Sequence, residues 1–222
     1  MEEHLDIEEG QRLAAAKDFA YRHRFLLATL VVAVVLGAAA GWGYNRYRHS
    51  QQVAASGFYQ KGLQALSQDR DGDARQAFKA LIADHPGTSY AAMGRVLRAR
   101  LLHHDGSSEQ ALKVLEPLVA GDTGPVDARH VAVEEAARIH WDQGDVQAAL
   151  DTLDRIAPSA YQPSYFQLRG DLLAAAKRPE AARDAYRQAL AQTGSEPLRP
   201  GIEARLDELP AGADNDSGGA DQ

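Results

Sequence analysis

Four stretches of this chain share one register. They are "DGDARQAFKALIADHP" from Asp71, "GSSEQALKVLEPLVA" from Gly106, "GDVQAALDTLDRIAP" from Gly144 and "RPEAARDAYRQALAQ" from Arg178. Aligned, they put Ala74, Ala111, Ala149 and Ala182 in one column. Phe78, Leu115, Leu153 and Tyr186 follow four residues later, and Leu81, Leu118, Ile156 and Ala189 three further on. Apolar side chains at that spacing lie along one face of a helix. The alanines are 37, 38 and 33 residues apart. A short unit of this kind cannot bury its apolar face alone, so the expected fold is a stack of similar units sharing one core.

Each unit reads as a helical hairpin. The aligned stretches form the second helix, B. Ahead of them, apolar residues at helical spacing predict first helices, A, over roughly Val53–Leu66, Tyr90–His103, His130–Gln143 and Pro163–Ala176. Turn residues fill Asp69–Asp73, Asp105–Ser108 and Gly144–Asp145, and Pro86, Pro125, Pro158 and Pro197 punctuate between hairpins. Gly62 and Gly170 stand twelve residues before Ala74 and Ala182, where a small residue lets two helices approach; Ala99 and Ala137 stand there in the middle units. The period brackets the 34 residues of a tetratricopeptide repeat. The expectation is an all-α tetratricopeptide-like stack of about four repeats over residues 45–209, ending in a short capping helix, Gly201–Leu209. A plain amphipathic bundle is the alternative. Residues 210–222, "PAGADNDSGGADQ" from Pro210, contain no apolar side chain larger than alanine and read as a disordered tail.

Ahead of the repeats, "FLLATLVVAVVLGAAAGWGY" runs from Phe25 to Tyr44 without a charged side chain. Twenty residues at about 1.5 Å of rise reach about 30 Å, the thickness of a bilayer's hydrocarbon core. Arg22 and Arg24 flank the run on one side and Arg46 and Arg48 on the other, with Trp42, Tyr44 and Tyr47 where interfacial aromatics belong. A transmembrane helix over 25–44 is expected, preceded by a cytoplasmic segment, 1–24. The alternative is a cleaved signal ending at Ala38-Ala39-Ala40. Against it stand a long leader and the acidic start with Glu2, Glu3, Asp6, Glu8 and Glu9. Arg12, Lys17, Arg22 and Arg24 against Arg46, Arg48 and Lys61 give a slight positive-inside bias for a cytoplasmic N-terminus. Gly37 and Gly41, four apart within the span, are candidates for packing against another membrane helix.

The residues offer little chemistry. The formal charge is −7, with 20 Lys and Arg against 25 Asp and Glu after Tyr44, and no basic block points to nucleic acid. There is no cysteine, hence no disulfide framework and no thiolate metal site. His103 and His104 are adjacent and diverge on a helix; His130, Glu134 and His140 follow no zinc pattern. Asp69, Asp71 and Asp73 open like a calcium loop, but its twelfth position is Ala80. No nucleophile elbow, phosphate loop or dinucleotide pattern occurs. No enzyme and no cofactor are expected. In "YQPSYF", Tyr161 and Tyr165 are candidate partner-binding aromatics at the rim of the stack, while Phe166 falls where the repeat buries a large residue.

Taken in order, "EEGQRLAAAKDFAYRHR", a single apolar run closing in "GWGYNRYRHSQQ", and hairpins including "LRGDLLAAAKRPEAARDAYRQAL" from Leu168 resemble the ancillary subunit of the bacterial Sec translocon, the YfgM-like family. The likeness covers residues 5–209. It implies a single-pass inner-membrane protein with a cytoplasmic N-terminus and periplasmic repeats. The implied role is a non-enzymatic adaptor beside the translocon channel, in contact with a membrane-anchored periplasmic chaperone of the prolyl-isomerase type and with newly exported client proteins. It also implies negative control of an envelope-stress phosphorelay. The resemblance carries no catalytic residue. An envelope scaffold or assembly factor, for cell division or outer-membrane biogenesis, would use the same anchored repeats.

Overall fold

The computed structural model describes residues 22, 24–156, 163–192 and 197–210 of the 222-residue chain. Among them, every regular element is a helix. In chain order these are α1 (Arg24–Leu66), α2 (Asp71–Asp84), α3 (Ser89–His104), α4 (Ser108–Val119), α5 (Val126–Asp142), α6 (Val146–Leu153), α7 (Pro163–Ala175), α8 (Pro179–Gln192) and α9 (Arg199–Glu208). The chain divides into two units, Met1–Gln51 and Gln52–Gln222. The disordered tail expected over 210–222 lies, beyond Pro210, outside the described residues.

In the first unit the backbone is helical from Arg24 onward, and every described side chain from Phe25 to Ser50 is exposed. Phe25, Leu26, Val32, Val34, Val35, Leu36 and Trp42 all face outward. Arg46 lies 5.9 Å from the centre of the Trp42 ring, and Arg48 5.9 Å from that of Tyr44. Among the described residues no helix is long and apolar enough to cross a membrane. The side chains of Leu27, Ala28, Leu30 and Val31, inside the apolar run, are outside the described set. A separate helix starting near Val53 does not occur. Asn45–Gln52 contains neither glycine nor proline to stop a helix, so α1 continues to Leu66.

The second unit opens on the end of α1 and holds the four hairpins: α1–α2, α3–α4, α5–α6 and α7–α8. The repeat columns are its core. Ala74, Ala111, Ala149, Ala182, Phe78, Leu115, Leu153, Leu81, Leu118 and Ala189 are inaccessible to solvent, and Tyr186 and Ile156 nearly so. The turns are equivalent too. Five residues before each alanine, the chain takes a left-handed conformation: Asp69 (φ 54°), Gly106 (φ 78°), Gly144 (φ 84°) and Lys177 (φ 58°). The next N–H then reaches back to a carbonyl of the ending A helix. Arg70 donates to Ala65, Ser107 to Leu102, Asp145 to His140 and Arg178 to Leu173, at 2.8–3.0 Å. This is the Schellman closure, which satisfies helix-end carbonyls and redirects the chain. Thr88 and Asp145 cap α3 and α6, accepting from the N–H groups of Ala91 and Ala148.

The A helices make one layer: α3 packs on α5, and α5 on α7. Among the described residues no two B helices meet as closely. The A layer is therefore the tighter, inner side of the stack, and the B layer the splayed outer side. Pro125 starts α5 at Val126, earlier than the His130 start expected, because proline is tolerated at a helix entry. Helix α9 closes the stack against α8 through the fully buried Ile202, as the capping segment predicts.

Candidate partner-binding surface

The inner layer carries two distinct patches. At the first hairpins, Tyr59 of α1 and Tyr90 of α3 have ring centres 5.5 Å apart, and Tyr59 stands 6.0 Å from Phe78. Tyr90 and Met93, one helical turn apart on α3, remain partly exposed. Aromatic and methionine side chains left at a surface are the residue types that anchor protein interfaces.

Further along the layer the patch becomes ionic. Arg100 of α3 donates from Nε to Glu135 of α5 at 2.7 Å, and Glu135 is only 7% exposed. On α5, Glu134 accepts from Ser164 of α7 at 3.1 Å and lies 3.9 Å from Arg138. Asp171 of α7 accepts from the hydroxyl of Tyr186 (2.7 Å) and pairs with Arg205 of α9 (2.9 Å). The network therefore ties α3, α5, α7 and α9 across the stack. Burial pushes the Glu134 carboxyl above its ordinary range, against the Ser164 hydroxyl and the nearby cations, which lower it. Asp171 is raised likewise by burial, and Tyr186 is raised by burial first and then by its bond to Asp171.

The site residues predicted from the sequence fall elsewhere. Tyr161 lies outside the described residues. Tyr165 is not at a rim: it is 2% exposed, stacked edge-on against Phe166 at 5.2 Å, with Arg169 3.4 Å from its hydroxyl. The reason is register. Tyr165 and Phe166 both start a helix whose face must fill the gap left between the splayed α6 and α8. There they line an outer groove of about 670 Å³ with Asp154, Arg169 and Asp184. Gly37 and Gly41 sit on the exposed first unit, where an added Cβ on either would meet nothing within 4 Å. His103 is engaged by Asp142 (2.9 Å) and Ser108 (2.8 Å), which joins α3 to α4 and α5. Of these inner-face residues the sequence singled out only Glu134 as a site candidate, weighed as a metal ligand and set aside. Their signal is the A-helix spacing Tyr90–Met93 and Glu134–Arg138, which matters only once the A helices are known to lie side by side.

Hairpins in one register and a tight inner layer with an aromatic-to-ionic face define a helical-repeat scaffold. More particularly, the chain belongs to the tetratricopeptide repeat-like domain family, whose model matches residues 17–211. It is similar to a protein of Aggregatibacter actinomycetemcomitans named ancillary SecYEG translocon subunit, 26% identical over 191 residues that cover 85% of this chain and 92% of that one. A protein of the same name from Escherichia coli (strain K12) is 28% identical, covering 80% and 85% respectively. The resemblance to ancillary translocon subunits is thus borne out along most of the chain. Among solved structures, a tetratricopeptide repeat protein from Parabacteroides merdae superposes with a TM-score of 0.55 at 14% identity, covering 69% of this chain and 59% of that one. That likeness shows the fold alone.

Proposed function

We propose that this chain is a non-enzymatic, membrane-anchored adaptor at the Sec translocon. One observation carries the reading: its relatives named as ancillary SecYEG translocon subunits align over most of the length of both partners. The physical support is the first unit. A helix that exposes apolar side chains around its whole circumference is unstable in water and needs lipid or protein around it. The run from Phe25 to Tyr44 has the length and flanks of a single span. In this reading residues 1–24 lie in the cytoplasm and the repeats in the periplasm of a bacterial inner membrane. Gly37 and Gly41 then offer a close-approach face to a helix of the channel.

The anchor holds the repeats near the exit of the channel, so weak contacts act at high effective concentration. The inner face, from Tyr59 and Met93 to Arg138 and Asp171, receives a membrane-anchored chaperone of the prolyl-isomerase type or an exported client. Control of an envelope-stress phosphorelay would be exerted from the cytoplasmic segment. Affinity purification of the full chain in mild detergent tests the reading. Channel subunits and a periplasmic chaperone should co-purify in stoichiometric amounts; recovery of neither, or of a different envelope machine, contradicts it.

A further inference from the structure

Two equivalent interfaces of the stack differ in charge. Between hairpins three and four, Arg169 on α7 pairs with Asp154 just after α6. In repeat register, Arg98 on α3 is the counterpart of Arg169, standing one residue before Ala99 as Arg169 stands before Gly170. The counterpart of Asp154 is Lys79 on α2, five residues after the column alanine. The acid that neutralises an interface arginine in one place is thus a second cation in the other.

A further reversal sits alongside. Four residues before the small A-helix residue, the other hairpins carry Phe58, Val133 and Phe166, whereas the second carries Arg95. Arg95 is half-buried. Lys79 and Arg98 line one cleft of about 240 Å³ with Gly72, Arg75 and Gln76. Arg75 is engaged by Asp105. Lys79, Arg95 and Arg98 have no acidic partner among the described residues. Burial holds both guanidiniums below the ordinary arginine range, and Arg98 lowers Arg95 further by repulsion. The two half-buried guanidiniums, like-charged and close enough to repel, oppose folding unless something neutralises them.

We propose that the cleft between α2 and α3, at Lys79 and Arg98 with Arg95 beside it, binds a short acidic peptide segment of a partner protein. The whole chain carries a formal charge of −7, which repels an extended polyanion such as nucleic acid or an anionic bilayer. A short segment feels mainly the charges within about 8 Å of it at physiological salt, and the charged side chains that line the cleft itself are Arg75, Lys79 and Arg98. The cleft has room for one or two carboxylate side chains. An arginine fork on the α3 wall and a lysine on the α2 wall suit carboxylates arriving in an extended strand. This surface uses none of the inner-face residues assigned above, so the two proposals stand or fall separately.

The test uses the full chain in neutral detergent and a fluorescent twelve-residue peptide alternating aspartate and glycine, read by anisotropy, with an asparagine–glycine peptide as control. The aspartate peptide should bind saturably and the asparagine peptide should not. Raising salt from about 0.05 to about 0.5 M should weaken binding about tenfold or more. Lys79→Glu, which copies the neutralised interface, and Arg98→Gln should each abolish binding, while Lys79→Glu melts at the same or a higher temperature. Absence of saturable binding overturns the proposal, as does binding that survives both substitutions. Displacement of the peptide by micelles doped with phosphatidylglycerol would assign the cleft to lipid and overturn it too.

Discussion

The outer and inner hairpins reach the same fold by opposite placements of glycine. Hairpins one and four put it inside helix A, at Gly62 and Gly170, against an aromatic ring. A Cβ built there would stand 2.4 Å from Cε1 of Phe78 or 2.5 Å from Cε1 of Tyr186. Their left-handed turn positions are then filled by Asp69 and Lys177. Hairpins two and three put alanine inside helix A, at Ala99 and Ala137, where the facing column holds Leu115 and Leu153, and keep glycine for the turn, at Gly106 and Gly144. What looks like decay of the repeat in its middle is an exchange of volumes. A smaller B-helix side chain leaves room for the methyl that a ring would exclude.

The largest effect expected from this contrast is overpacking of the outer pair. Gly62→Ala should destabilise the domain by about 1–3 kcal/mol in urea unfolding, despite alanine's better helix propensity, because a ring must move. Gly62→Ala combined with Phe78→Leu reproduces the inner pattern and should recover much of that loss. A double-mutant cycle without coupling would break the account of exchanged volumes.

The turns come next. Gly144→Ala meets nothing within 4 Å, so its cost is backbone strain alone, about 1 kcal/mol or somewhat more. Lys177→Gly should change stability with the opposite sign, as a gain of up to about 1 kcal/mol. Equal losses from the two substitutions would show that the turns are not equivalent.

The smallest effect concerns Glu134, which only the inner layer buries. Its folded pKa is raised above the ordinary 4.5, chiefly by burial. The stability it contributes is therefore present below 4.5 and lost as pH rises through the raised value. Glu134→Gln is neutral at every pH. Its stability relative to the parent should be higher at pH 7 than at pH 4.5, measured as a small shift in urea midpoint; a difference of the reverse sign refutes the burial argument.

Much of this architecture was legible from the alanine columns, because a period near 34 with i, i+4, i+7 spacing admits few folds. The four hairpins, the tight Gly62 and Gly170 positions and the capping helix all follow from it. The continuity of α1 had only a negative sign in the sequence, the lack of glycine and proline over Asn45–Gln52, which is easily passed over beside the change from an apolar run to a repeat. Tyr165 was misplaced because an aromatic beside a proline looks the same in sequence whether its helix turns it outward or into the core. The Arg100–Glu135 and Ser164–Glu134 contacts join residues 30 or more positions apart. They appear only when α3, α5 and α7 are laid side by side. The charge reversal at Lys79 likewise needed the Arg169–Asp154 pair as its reference.

The claim on which the functional account rests is that the inner layer, held at the translocon, meets the export machinery. Photo-crosslinking in intact cells tests it directly, with a photoreactive residue at Met93 or Arg138 on the inner layer and at Lys113 or Gln147 on the outer. The account predicts adducts with channel subunits, a periplasmic chaperone or exported chains from the inner positions, and few from the outer. Adducts confined to the outer positions, or none with the export machinery from either face, would contradict it.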